Sequence, residues 1–158
     1  MKRLNLWNSQ FRRSIPELKN YHLRISKDGE IMKKPGQILS EWIEAVNKRD
    51  IDNILSFYNR NAVLIPTFSN RILDTPAKIR DYFERLGSND ELKVTLHENT
   101  MKVLKVSETV FALSGIYLWR LSVEGETLNF EARFSFVLDL NLQDPVIQHH
   151  SSQIPRML

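Results

Sequence analysis

The sequence predicts an α+β fold: a cone-shaped, curved antiparallel sheet packed on three N-terminal helices. Three observations predict it. Helical periodicity is confined to the stretch between Gln37 and Leu86, and everything after Gly87 is rich in β-branched and aromatic residues broken by turn signals. At 158 residues, with 42% apolar and 26% charged content, the chain is the right size for one core of ordinary composition. Helices first and strands second favour a sheet that meanders against the helices over alternating strand-helix units.

Residues 1–36 read as a basic N-terminal arm, with the domain proper at 37–158. The arm holds nine of the 22 Lys and Arg but three of the 19 Asp and Glu, which leaves 13 bases against 16 acids beyond it. With Trp7 and Phe11 in it, the arm is expected to wrap its own domain or a partner subunit. Contact with nucleic acid or an anionic membrane is the salt-sensitive alternative. A short hairpin is expected around Asp28-Gly29, and Pro35-Gly36 breaks the chain before the first helix.

From Gln37, Ile38, Leu39, Trp42, Ile43 and Val46 recur at three- and four-residue intervals and make one apolar helix face. Asp50 is placed to cap a second, shorter helix carrying Ile51, Ile54, Leu55 and Tyr58. "NAVLIPTF" is a short β-type run closed by Pro66. Thr75-Pro76 supplies a capping hydroxyl and a proline suited to the first turn, opening a third helix with Ile79, Phe83 and Leu86 inward and Tyr82 on the same general face. The strands expected next are "LKVTLHE", "TMKVLKVS", "TVFALSGIYLWRLSV", "TLNFEARFSFVLDL" and "PVIQHHSSQI".

Cysteine is absent, which removes disulfides, thiolate zinc sites and cysteine nucleophiles together. The N-terminal stretch lacks the apolar run of about 7 to 15 residues that a signal peptide needs, and nothing approaches the ~18 apolar residues of a membrane span, so a cytoplasmic protein is expected.

The last predicted strand carries "HHSS". Strand alternation puts His149 and Ser151 on one face and His150 and Ser152 on the other, so one pair faces the cone. The bland reading is a satisfied core histidine and serine, with the other pair in solvent or at a subunit interface.

The segments "NAVLIPTFSN", "TPAKIRDYF", "SGIYLWRL", "EARFSFVLDL" and "HHSSQIP" resemble, in order and spacing, the SnoaL-like or nuclear-transport-factor-2-like superfamily over about residues 37–156. The chain is most similar to bacterial relatives of the calcium/calmodulin-dependent protein kinase II association domain, a group that includes the iota-class carbonic anhydrases. The resemblance implies assembly through sheet faces into dimers or larger rings. It also implies a pocket where hydroxyls and a histidine hold bicarbonate, with metal-free catalysis proposed for some members. The matching positions are Thr67, Tyr82, His149 and Ser151, with Tyr117 and Arg133 as further ligand contacts and His150, Ser152 and Phe134 as additional lining. Family members often carry three consecutive histidines; this chain has Gln148 in the first place.

The chemistry asked of such a site is demanding. Phe68, Phe83, Phe134 and Phe136 can supply an apolar wall, and Thr67, Tyr82 and Ser151 can donate to bicarbonate oxygens, helped by Arg133 if it points inward. Bulk water has a pKa near ~15.7, which zinc enzymes lower to roughly 7. His22, His97, His149 and His150 are the histidines available, and adjacent strand residues point apart, so no metal and no cofactor are expected. The remaining device is His149 as general base near its ordinary pKa of ~6.5. Two functions follow from the resemblance: metal-independent carbon dioxide hydration, or a non-catalytic module that oligomerises and binds a small ligand. No nucleophile elbow or glycine-rich phosphate loop supports hydrolytic or nucleotide chemistry.

Overall fold

The computed structural model describes residues 33–155; residues 1–32 of the basic arm, with the expected Asp28-Gly29 hairpin, lie outside them. Helix α1 (Pro35–Lys48) begins two residues before the sequence expectation, because Pro35 occupies its first turn, where a missing N–H costs nothing. Its buried face is Ile38, Leu39, Trp42, Ala45 and Val46. Helix α2 (Ile51–Ser56) is capped by Asp50, whose carboxylate accepts from the Asn53 N–H. This helix stops short of Tyr58, which opens strand β1 (Tyr58–Ile65) instead. Helix α3 (Pro76–Gly87) starts as expected, with Thr75 as cap and Pro76 in the first turn.

The remaining strands are β2 (Leu92–Leu96), β3 (Lys102–Lys105), β4 (Val110–Val123), β5 (Glu126–Asp139) and β6 (Val146–Gln153). They join β1 in one six-stranded sheet of order β1-β6-β5-β4-β2, with β3 also on β4. Strands β4 and β5, 14 residues each, form a long hairpin closed at Glu124 and Gly125, both at positive φ, the pattern of a tight two-residue turn. The α+β fold class is as expected, with one departure from a purely antiparallel sheet: β1 runs parallel to β6. Their register slips between Tyr58 and Val63, a bulge that an alternation pattern does not reveal.

The edge strand β2 is held by α1. The Asn47 amide donates to the Val94 carbonyl at 3.0 Å and accepts from the Val94 N–H at 2.6 Å, giving the edge backbone a partner. The inner sheet face and the helices enclose a core of Trp42, Tyr58, Phe83, Tyr117, Trp119, Phe134, Phe136 and the aliphatics around them. None of the helices among the described residues is long and apolar enough to cross a membrane.

Candidate functional site

Alternation along β6 answers which histidine faces the core. His149 (2% exposed) and Ser151 (3%) are buried, whereas Gln148 and His150 are exposed and Ser152 is partly so. Three proposed lining residues therefore need correcting. His150 and Ser152 lie on the outer face, and so does Arg133, because its β5 neighbours Ala132 and Phe134 are the buried ones. Arg133 sits opposite Ser152 and Ile116. Gln148 is likewise outside, so the missing first histidine removes no group from the core.

The inner face holds a continuous hydrogen-bonded relay. Trp42 of α1 donates its indole N–H to the Tyr58 hydroxyl at 3.1 Å, and that hydroxyl lies 2.8 Å from His149 Nδ1. The other ring nitrogen, Nε2, is 3.3 Å from the Tyr117 hydroxyl, which donates to Ser151 Oγ at 2.5 Å. Ser151 in turn pairs with Thr67 Oγ1. The relay's six members come from five places: α1, the start of β1, β6 (which supplies both His149 and Ser151), the middle of β4, and the half-buried loop after β1. Thr67 is the relay's link to the surface.

Thus Thr67, His149, Ser151 and Tyr117 are brought together by hydrogen bonds. Phe134 is also inward, but as packing: its ring stacks on Tyr117 at 4.8 Å between centroids. Tyr82 is buried on α3 without a hydrogen bond to the relay among the described residues. Burial raises its phenol pKa, offset in part by a backbone hydrogen bond from Phe68.

Two relay members, Trp42 and Tyr58, escaped the sequence reading, which gave both to apolar helix faces. A signal existed: a buried Trp or Tyr needs a partner for its polar atom, and each of these meets the other.

His149 is not the poised base expected. Its ring stacks on Phe136 at 3.8 Å and meets Trp42 edge-on at 5.2 Å. Desolvation, and secondarily the charge His150 can carry, pull its pKa from 6.5 to about 3. At neutral pH it is uncharged, and both nitrogens are already engaged. The Tyr117 and Tyr58 phenols are pushed upward by burial and stay protonated.

Beside the relay, the Trp119 indole N–H lies near enough to the Tyr117 hydroxyl to favour its ionised form, yet it has no partner of hydrogen-bonding geometry among the described residues. Phe68, next to Thr67, packs edge-on against Trp119 at 5.6 Å. The hydroxyls of Thr67 and Ser151 and this spare donor therefore gather at one end of the cone. No three His, Asp or Glu side chains cluster anywhere among the described residues. An open groove of about 350 Å³ lies on the helical side, lined by Leu55, Asn59, Pro76, Ala77, Ile79 and Arg80 and reaching the relay at Tyr58.

On the outer sheet face, the pairing register aligns Val63, Gln148, Val137, Ala112 and Leu104 in one row across five strands. Leu104 is 64% exposed. Cross-strand partners share a face, so this row is apolar except at Gln148.

Among solved structures, a candidate calcium/calmodulin-dependent protein kinase II association domain from Xanthomonas campestris is 24% identical, with TM-score 0.69, covering 77% of this chain and 86% of that one. A candidate dehydratase of the NTF2-like family from Streptomyces avermitilis is 12% identical, with TM-score 0.65 and coverage of 77% and 94%. A ketosteroid isomerase-like protein from Erwinia carotovora atroseptica is 11% identical, with TM-score 0.62 and coverage of 75% and 92%. At these identities the likeness shows the fold, which is the SnoaL-like or NTF2-like α+β cone. No curated protein matches the chain. The family model for the calcium/calmodulin-dependent protein kinase II association domain matches residues 30–155, and the chain belongs to that family.

Proposed function

We propose that this protein is a homo-oligomeric association-type domain that holds a small oxyanion of the bicarbonate class at the Thr67–Ser151 end of its cone. The observation that carries the reading is the state of His149: neutral, enclosed by rings and bonded through both nitrogens. A group in that state positions hydroxyls well and accepts protons poorly, which suits binding more than water activation. Family membership and the apolar outer row support the homo-oligomer.

A second reading, metal-free hydration of carbon dioxide, is favoured by one specific observation. Thr67, Ser151, Tyr117 and His149 form an unbroken path along which a proton could pass from the surface end to the imidazole. Its difficulty is the destination, since an imidazole with a pKa of about 3 holds a proton weakly at neutral pH.

The two readings separate in one set of measurements on the full chain. Bicarbonate titration followed by calorimetry, together with stopped-flow carbon dioxide hydration with and without chelator, is run on wild type, Thr67→Val and Ser151→Ala. Saturable binding lost in both variants, with hydration at the buffer rate, supports the binding module. Hydration above buffer that survives chelation and falls in both variants establishes the enzyme. Neither binding nor hydration overturns the oxyanion site.

A further inference from the structure

We propose that Tyr58, backed by Trp42, is a positioning residue that holds His149 in its neutral Nε2–H tautomer and so points every hydroxyl of the relay outward, making the Thr67 end a donor site for hydrogen-bond acceptors. The ligand half of this rests on the oxyanion reading above; the tautomer half stands without it.

The argument is a count of protons. An indole N–H can only donate, so the Tyr58 oxygen accepts from Trp42 at 3.1 Å. The Tyr58 O–H must then be spent elsewhere, and among the described residues the acceptor in reach is His149 Nδ1 at 2.8 Å. Were Nδ1 protonated, two donors would face the Tyr58 oxygen and its own O–H would be stranded in the core, an unsatisfied buried donor that costs about 1 to 3 kcal/mol. Nδ1 is therefore the bare nitrogen and Nε2 carries the hydrogen.

The rest follows link by link. Nε2–H donates to the Tyr117 oxygen, the Tyr117 O–H donates to Ser151, and the Ser151 O–H donates to Thr67 Oγ1. The last proton in the series, on Thr67 Oγ1, has no acceptor in the relay and lies at the half-buried end. A second observation has the same sign: the buried Trp119 N–H lies beside the Tyr117 oxygen and has no partner of hydrogen-bonding geometry among the described residues. A site that ends in surplus donors takes an acceptor, such as a planar oxyanion, and rejects a cation or a pure donor.

The test is nitrogen-15 NMR of the His149 side chain in the full protein between pH 5 and pH 8, with Tyr58→Phe as the variant. The wild type is expected to show one neutral ring with the proton on Nε2, and Tyr58→Phe a mixture of tautomers. An Nδ1–H ring or an imidazolium in wild type at pH 7 overturns the proposal, as does a variant that folds and keeps the pure Nε2–H signature. If Tyr58→Phe does not fold, the wild-type spectrum decides alone. For the ligand half, bicarbonate and nitrate are compared with ammonium: the anions are expected to bind at least about tenfold more tightly and to lose about tenfold in Tyr58→Phe, which touches neither. A correct tautomer with no anion preference would sink the donor site and leave the positioning role intact.

Discussion

The Tyr58 hydroxyl sits 2.8 Å from Nδ1 of His149 although 91 positions separate the two in the chain. That contact joins the helical half of the molecule to its last strand, because the same hydroxyl also receives the Trp42 indole N–H. Tyr58→Phe keeps the ring and its packing but strands both nitrogens. Leaving a buried polar atom unpaired costs about 1 to 3 kcal/mol, so with two stranded the variant is expected to lose about 2 to 6 kcal/mol in urea unfolding without a change in the slope against denaturant.

The state of His149 also sets a pH dependence. Its folded pKa, about 3, lies below the ordinary 6.5 of an exposed imidazole, so the unfolded chain binds a proton there before the folded one does. Stability from this group is fully present above pH 6.5 and is lost as pH falls toward 3. Between pH 6.5 and pH 5, a window above most carboxylate titration, the loss is about 1 to 2 kcal/mol from this one residue. His149→Gln is expected to flatten the slope in that window while lowering stability at pH 7. Equilibrium unfolding at four pH values checks it, and equal slopes in the two proteins would remove His149 as the cause.

Much of this was legible in the sequence, for physical reasons. Alternation in "HHSS" and helical spacing in α1 and α3 report burial directly, so the inward partners of the last strand and the three helices follow from pattern. What pattern cannot report is a departure from the repeat. Tyr58 falls at the three-residue spacing of a helix that in fact ends at Ser56, and the register slip before Val63 masks its place on a strand. The parallel β1–β6 pairing depends on contacts across most of the chain. Arg133 misled because a cation suits an anion site, whereas its side of the strand is fixed by Ala132 and Phe134. The basicity of His149 was misjudged for a related cause: an unperturbed pKa belongs to a solvated ring, and desolvation is a property of the assembled core.

Gly115 faces the ring of Phe134 so closely that a Cβ there would lie 2.8 Å from Cζ and 3.0 Å from Cε1, with Thr100 Oγ1 at 3.2 Å. Phe134 cannot retreat freely, since Tyr117 stacks on it. Gly115→Ala should therefore cost about 1 to 3 kcal/mol by overpacking and displace the Tyr117 hydroxyl from Ser151. Thermal unfolding reads the first effect. The second appears as weaker bicarbonate binding in a protein that is still folded at the assay temperature, which an effect on stability alone would not produce.

Gln148 and Val137 lie side by side on the outer face, in the row that runs from Val63 to Leu104. If subunits meet through this row, a charge at its centre must be desolvated in the assembly and not in the free chain, a penalty that repays nothing without a partner charge. Val137→Lys is then expected to shift light-scattering mass from a multiple of 18.6 kDa toward 18.6 kDa itself, with far-UV circular dichroism unchanged. Gln148→His is the informative companion. Its side chain is outside the core, so restoring the histidine should leave bicarbonate affinity within about twofold, an effect below 0.5 kcal/mol, and any effect should fall on assembly, growing as pH drops through the ordinary histidine range. A large gain in affinity or in carbon dioxide hydration from Gln148→His would show that the first histidine acts on the site after all. A wild-type chain that is monomeric at every concentration would remove the outer row from consideration.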